Sequence, residues 1–225
     1  MAPINQTLLL ERCIELWPSN PGIALSPVQL GRLEMYLDEL EKWNRKINLT
    51  GLRSRLRIVN ELLLDSLLPI PYLPVEGMVL DVGSGAGFPS IPLKICSSGL
   101  FFHLVEPILK RTNFLRQVIR LTGLEGIEVF RGRLEDLDSA ASGKRYDTVI
   151  SRGLFLDAQI LSCCAEHLTM EGLLFTFQGS SGQYDYERFV GEDGKYSLSV
   201  QESISYEVPG VLFHRRLVIY KKERK

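Results

Sequence analysis

VLDVGSGAGFPSIPL, residues Val79–Leu93, reads as a buried strand, a glycine turn and the start of a helix. Val79, Leu80 and Val82 are apolar and mostly β-branched, Asp81 sits at the strand's end, and Gly83, Gly85 and Gly87 follow at alternate positions. Such a turn needs glycine where φ is positive or where a ligand must approach the main chain. The helix after it offers free N–H groups at its start. About 19 residues past Gly87, a second apolar run, Phe101–Val105, ends in Glu106, an acid placed to take the two hydroxyls of a ribose. The stretch predicts a nucleoside-cofactor site in an α/β fold.

The dinucleotide fingerprint G-x-G-x-x-G has a third glycine where helix packs on strand. Here the pattern is G-x-G-x-G, preceded by Asp81, and position 88 is Phe. It resembles motif I of the Rossmann-like methyltransferases that use S-adenosylmethionine (SAM). SAM carries no pyrophosphate, so a phosphate cradle is not required, and Asp81 could bind the cofactor's amino-acid part directly or through water. The plain alternative is a glycine-rich loop closing an unrelated α/β unit.

The chain has 225 residues, long enough for one full domain plus an extension. It is 45% hydrophobic and 24% charged, with a net charge of −1, so no global field steers it to nucleic acid and any such contact must be a local patch. Cys13, Cys96, Cys163 and Cys164 lack metal-ligand spacing, and the histidines are scattered at 103, 167 and 214, which argues against a metal site. No signal peptide and no apolar run of transmembrane length are present. The expectation is a cytoplasmic, monomeric protein with no membrane contact.

Residues 1–74 read as a helical N-terminal extension. Apolar spacing predicts helices over 4–17, from Ser26-Pro27 to about 45, and over 57–68, followed by a linker with Pro69, Pro71 and Pro74. From Val75 strands and helices alternate. Strands are expected near 79–82, 101–106, 127–131, 146–151 and 172–178, with helices over 88–97, 108–122 and 154–168. The last third predicts a helix over 183–190 and strands over 196–207 and 211–220, a hairpin end on an otherwise parallel sheet.

Ligands of open α/β sheets sit at the carboxyl ends of the strands. Those ends are Asp81–Phe88, Glu106, Arg133–Glu135, Ser151–Arg152 and Gln178. Leu134 is placed to pack on a purine and Glu135 to meet its edge; Glu135 could equally be a first-turn acid of a helix. Arg152 could hold cofactor or RNA, or form a salt bridge within the fold. Asp65 and Ser66 could cap their helix or bridge to the α/β part. Residues 42–60 contain Lys42, Arg45, Lys46, Arg53, Arg55 and Arg57 and no acid, a positive patch suited to RNA phosphate or simply a solvated helix end and loop.

WNRKINLT at 43–50, LLDSL at 63–67, LDVGSGAGFPSIPL, KRTNFLRQV at 110–118 and VISRGL at 149–154 together resemble the GidB/RsmG family, over residues 25–180. The resemblance implies a class I SAM methyltransferase sheet, mostly parallel with an antiparallel last strand, and a guanine-N7 methyltransferase acting on the decoding-region loop of 16S ribosomal RNA, free or in the small subunit. It implies cofactor contacts at Gly83, Phe88, Leu134, Glu135 and Arg152, with Glu106 at the ribose. The chain departs from the family's usual pattern at Leu62 (His), Gln178 (Lys) and Ser90 (Gly), which bears on the RNA side more than on the cofactor. Guanine N7 has a lone pair and no proton to lose, so no acid–base residue is assigned and catalysis would be positioning plus electrostatics. The rival readings are a SAM methyltransferase of proteins or small molecules, a nucleotide-dependent dehydrogenase, and a non-enzymatic SAM-binding module.

Overall fold

The structure is a computed structural model that describes residues 6–137, 143–153, 157–179, 187–191, 194–211 and 215–225. Among the described residues eight strands form one sheet: β1 (Gly77–Val82), β2 (Leu100–Val105), β3 (Ile127–Phe130), β4 (Tyr146–Arg152), β5 (Leu168–Gln178), β6 (Arg188–Val190), β7 (Tyr196–Tyr206) and β8 (Arg215–Arg224). Their order is β3-β2-β1-β4-β5-β8-β7-β6. The first five are parallel, and β8, β7 and β6 add on antiparallel. The chain reverses its direction of strand addition between β1 and β4, which opens a crevice at their carboxyl ends.

The extension begins with α1 (Gln6–Glu15) and α2 (Pro27–Ile47). Ser26 and Gln29 close a capping box at the start of α2, with Pro27 in its first turn, and Asn48 ends it in the left-handed conformation. Leu30, Leu33, Tyr36, Leu37 and Leu40 form its buried face. The next helix, α3, runs over residues 55–66 but is not regular: Arg55–Ile58 and Leu64–Ser66 are α-helical and Val59–Leu63 between them is a π turn. Along the sheet lie α4 (Ser90–Cys96), α5 (Leu109–Thr122) and α6 (Ala158–His167), and α6 is capped by the Asp157 carboxylate, which accepts from the Ile160 N–H at 2.8 Å.

One hydrophobic core joins the extension to the sheet, with Leu33, Tyr36 and Leu63 packed alongside Phe88, Ile91 and Phe114. A second core lies under α6 on the opposite face, around Leu80, Val149, Leu161 and Leu174. Among the described residues no helix is long and apolar enough to cross a membrane.

The element pattern read from the sequence is present, with one correction. Residues 183–190 do not form a helix where they are described: Arg188–Val190 is a strand paired with Ser197–Ser199 of β7. Its exposure alternates about a buried Phe189, the period of a sheet edge. Residues 183–186 lie outside the described residues, as do 154–156 at the start of the expected helix and 212–214 at the start of the last strand.

Candidate functional site

The glycine turn after β1 is laced to the end of β2. The N–H groups of Gly83 and Ser84 both donate to the Val105 carbonyl, at 2.9 and 3.1 Å. Gly87 closes the turn by donating to the Ser84 carbonyl at 2.7 Å. Its φ is +91°, and a Cβ there would stand 2.6 Å from Cγ1 of Ile91, so only glycine lets α4 pack this closely.

Glu106 is 1% exposed and ties the two strand ends together. Oε2 accepts from the Gly85 N–H at 2.9 Å and Oε1 from the Ile108 N–H at 2.9 Å. Each carboxylate oxygen keeps a lone pair for a further donor. The guanidinium of Arg111 stands 3.8 Å away.

The cleft over these strand ends has two lobes that meet at Gly83 and Pro107. The first, about 350 Å³, is lined by Gly83, Gly85, Phe88, Glu106 and Arg152 together with Leu49, Thr50 and Leu62 of the extension. The second, about 310 Å³, is lined by Val82, Leu134, Glu135 and the first turns of α6. Seven of the nine expected cofactor residues therefore line one continuous cleft. Asp81 and Gly87 line neither lobe. Gly87 serves packing, and Asp81 lies under the turn. Gln178 is also absent from both, and its side-chain oxygen accepts from Arg216 at 3.2 Å.

Asp81 is buried beside Ser84 and Ser90, and its Oδ2 has no hydrogen-bond partner. Burial lifts its carboxyl to about 7, the Ser90 and Ser84 hydroxyls oppose that, and Glu106 adds to it. That unpaired oxygen lies beneath the glycine turn, outside both lobes, where a cation bound over the turn would offset its buried charge. The thiols of Cys96 and Cys164 are pushed up to about 12 by burial, so neither is a nucleophile at neutral pH.

Arg152 realises the internal salt bridge that its position allows while also lining the first lobe. It meets Asp65 through two bonds, Nη1 to Oδ1 at 2.7 Å and Nη2 to Oδ2 at 3.1 Å. Asp65, 1% exposed, also takes Arg215 at 2.7 Å and the Tyr206 hydroxyl at 3.3 Å, so it bridges α3 to the sheet. The guanidiniums reach past the carboxylate to the π turn. The Glu61 carbonyl accepts from Arg152 at 2.9 Å and from Arg215 at 2.6 Å, and the Leu62 carbonyl accepts from Arg152 at 3.1 Å. A π turn shifts the helical bonds to i→i+5 and leaves carbonyls in need of donors.

Half of the expected positive patch is compensated, which corrects the reading of six free cations. Arg55 is paired with Glu34 and, at 2.8 Å, with Asp38. Arg57 meets Glu61 at 2.6 Å and Lys42 meets Glu39 at 3.3 Å. These acids lie outside residues 42–60 and reach the patch through helix geometry and folding. Arg45, Lys46 and Arg53 remain exposed and have no ion pair among the described residues; with Lys110, which the sequence reading left out, they line a separate groove of about 860 Å³. The contributions of Leu49, Thr50, Leu62 and α6 to the cleft were also missed, because each comes from a segment remote in sequence from the glycine turn.

A five-stranded parallel core with antiparallel additions, a glycine turn after β1 and a buried acid after β2 define a Rossmann-like class I methyltransferase. Solved structures agree on the fold. The M. jannaschii TYW2 in complex with AdoMet aligns with a TM-score of 0.51 at 16% identity, over 91% of this chain and 80% of that one. The M. jannaschii tRNA m1G37 methyltransferase aligns with a TM-score of 0.52 at 14% identity, over 72% and 49%. Residues 29–211 match the family model GidB, rRNA small subunit methyltransferase G, and the chain belongs to that family of SAM-dependent enzymes. Proteins named ribosomal RNA small subunit methyltransferase G are similar along nearly their whole length. That of Neisseria gonorrhoeae is 35% identical over 89% of this chain and 93% of its own, and the Syntrophobacter fumaroxidans protein numbered G 1 is 34% identical over 90% and 92%.

Proposed function

We propose that this protein methylates N7 of a guanine in the decoding-region loop of 16S ribosomal RNA, working in the cytoplasm as a monomer on the RNA or the small subunit. The observation that carries the reading is the match to the rRNA small subunit methyltransferase G family across residues 29–211, which span both lobes of the cleft. Residues 75–225 form the methyltransferase domain in this reading, and residues 1–74 an extension that serves the RNA side.

SAM supplies an electrophilic methyl group on a sulfonium. Glu106 holds the ribose with the lone pairs its backbone bonds leave free. Leu134 packs on the adenine, Glu135 meets its edge, and Gly83 and Gly85 let the cofactor lie against main chain. Phe88 would cover the amino-acid end, and the Asp81 carboxylate beneath the turn would supply a negative field to its ammonium. Guanine N7 presents a lone pair without a proton, so the reaction asks no general base of the cleft. What remains is alignment of acceptor and methyl group and stabilisation of the charge passing to the purine. Arg45, Lys46 and Arg53 contribute phosphate contacts.

The test is methyl transfer from labelled SAM to small subunits, and to naked 16S RNA, from a strain lacking its own enzyme. Label at a guanine N7 is the expected result. No transfer to either substrate while SAM binds tightly would overturn the ribosomal assignment.

A further inference from the structure

The basic groove and the cofactor cleft are two sides of one wall. Asn48 lines the groove and its neighbours Leu49 and Thr50 line the cleft; Lys110 lines the groove and its neighbour Arg111 lines the cleft. The change of side happens between adjacent residues at two places far apart in sequence: the loop after α2 and the first turn of α5. Adjacent Cα atoms are about 3.8 Å apart, so the wall between the two concavities is about one residue thick.

The wall is built before any ligand arrives. Asn44 donates to the Leu52 carbonyl and accepts from the Thr50 N–H at 3.0 Å. The Thr50 hydroxyl donates to the Leu52 carbonyl at 3.2 Å and accepts from the Leu52 N–H at 3.1 Å, and the Gly51 N–H donates to the Asn48 side chain at 3.1 Å. These bonds tie the loop to itself and to the end of α2 and occupy the Thr50 hydroxyl. They leave Leu49 and the Thr50 side chain as a mostly apolar rim on the cleft side. The groove side carries Arg45, Lys46, Arg53 and Lys110, all exposed and without an ion pair among the described residues, against the lone acid Glu41, which is 3.5 Å from Arg55.

Four exposed cations on one side of a thin, hydrogen-bonded wall and an apolar-rimmed cleft on the other match the two halves of a nucleotide. We propose that the RNA strand crosses this wall at the target nucleotide: Arg45, Lys46, Arg53 and Lys110 hold the phosphates flanking it, and the base is carried over Leu49 and Thr50 into the first lobe. The substrate is then an unpaired nucleotide splayed out of its stack, since a base held in a duplex cannot leave its partner and pass the rim without first flipping. This rests on the RNA methyltransferase reading and adds to it the route and the form of the substrate. It also makes Lys110 a specific phosphate contact.

The experiment compares wild type with R53A/K110A and with R116A/R120A, which removes the same charge from farther along α5, using small subunits from a strain lacking its own enzyme. The groove variant is expected to raise KM for the subunit at least tenfold, with kcat and the Kd for SAM within twofold of wild type. Its dependence of log KM on log salt should flatten by about 1.4, two phosphate contacts at about 0.7 each. The R116A/R120A variant should stay within about threefold. A second arm offers a short hairpin carrying the target guanine in its loop, and the same strand annealed to its complement; the loop form should be methylated and the duplex not. Equal KM changes in the two variants, or methylation of the duplex at the loop's rate, would overturn the wall-crossing route while leaving the enzyme's activity on RNA intact. Absence of transfer by wild type to every RNA substrate, with SAM bound, would sink the ribosomal reading and this route with it.

Discussion

The hydroxyl of Tyr36 donates to the carbonyl of Ala86 at 2.7 Å, in a fully buried contact between α2 and the glycine turn. The extension thus holds the glycine turn directly, and the Tyr36 ring also packs 5.2 Å from the ring of Phe88. Replacing Tyr36 with Phe keeps the packing and removes the donor. Stability should fall by about 1–3 kcal/mol because the Ala86 carbonyl loses its partner, and SAM should bind several-fold more weakly because the turn is less well held. Urea unfolding and equilibrium dialysis measure the two effects.

Asp65→Asn should be among the most damaging single changes in the chain. The carboxylate stands between two guanidiniums, and breaking a buried ion network by removing one partner costs about 3–5 kcal/mol. For a chain of this size that lowers Tm by roughly 10 °C. Thermal unfolding checks it; a shift below about 3 °C would show that water or another acid replaces the lost charge.

Glu106→Gln should weaken SAM binding by about 10- to 100-fold, the loss of charge-assisted bonds to two hydroxyls. The wild-type carboxylate accepts an N–H at each oxygen, from Gly85 and from Ile108. An amide offers one oxygen, so one of those N–H groups would face an NH₂ group and the loop would shift. Calorimetric titration with SAM, and with S-adenosylhomocysteine as control, should show the loss for both, since both carry the ribose.

Asp81 gives the protein a pH dependence near neutrality. Its folded pKa of about 7 lies above the unfolded value, so the folded state binds more protons between about pH 4 and 7. The stability linked to this group is fully present below about pH 4 and is lost as pH rises through 7. The proposed cofactor site runs the other way: an ammonium bound over the glycine turn would favour the ionised form of Asp81 through its field, so SAM affinity should rise from pH 6 to 7.5 by up to tenfold. Asp81→Asn should abolish both slopes and hold SAM at the weaker affinity. Unfolding without ligand and binding titrations across that range separate the two.

The glycine turn and the acid after the next strand are legible because each is local: the residues that build them are neighbours in the chain, and their types follow from backbone geometry. The mostly parallel sheet with an antiparallel end is legible for the same reason, since the alternation of short apolar runs with amphipathic helices admits few topologies, although the strand order itself comes only from the structure. What escaped was contact between remote segments. Lys42, Arg55 and Arg57 looked free because Glu39, Glu34 and Glu61 lie outside the basic window, and only helix spacing and folding bring them within reach. Arg188–Val190 was misread as helix because three residues of edge strand carry too short an alternation to compete with the surrounding polar sequence. The π turn left no trace in the apolar pattern, which continued through it with one extra residue.

That turn bears on whether the two parts of the chain could ever have been exchanged or trimmed. Its carbonyls are answered by Arg152 and Arg215, which belong to β4 and β8, and neither side has a regular alternative. A regular helix at residues 59–63 would withdraw these backbone acceptors from two guanidiniums that share the Asp65 carboxylate. A sheet domain cut free near residue 75 would carry those same cations, with Phe88 and Phe114 uncovered beside them. The helical segment is therefore no detachable module. It and the sheet can be altered only together, and a substitution at Arg152, Arg215 or Asp65 that is tolerated in a relative should arrive with a change in the helix facing it.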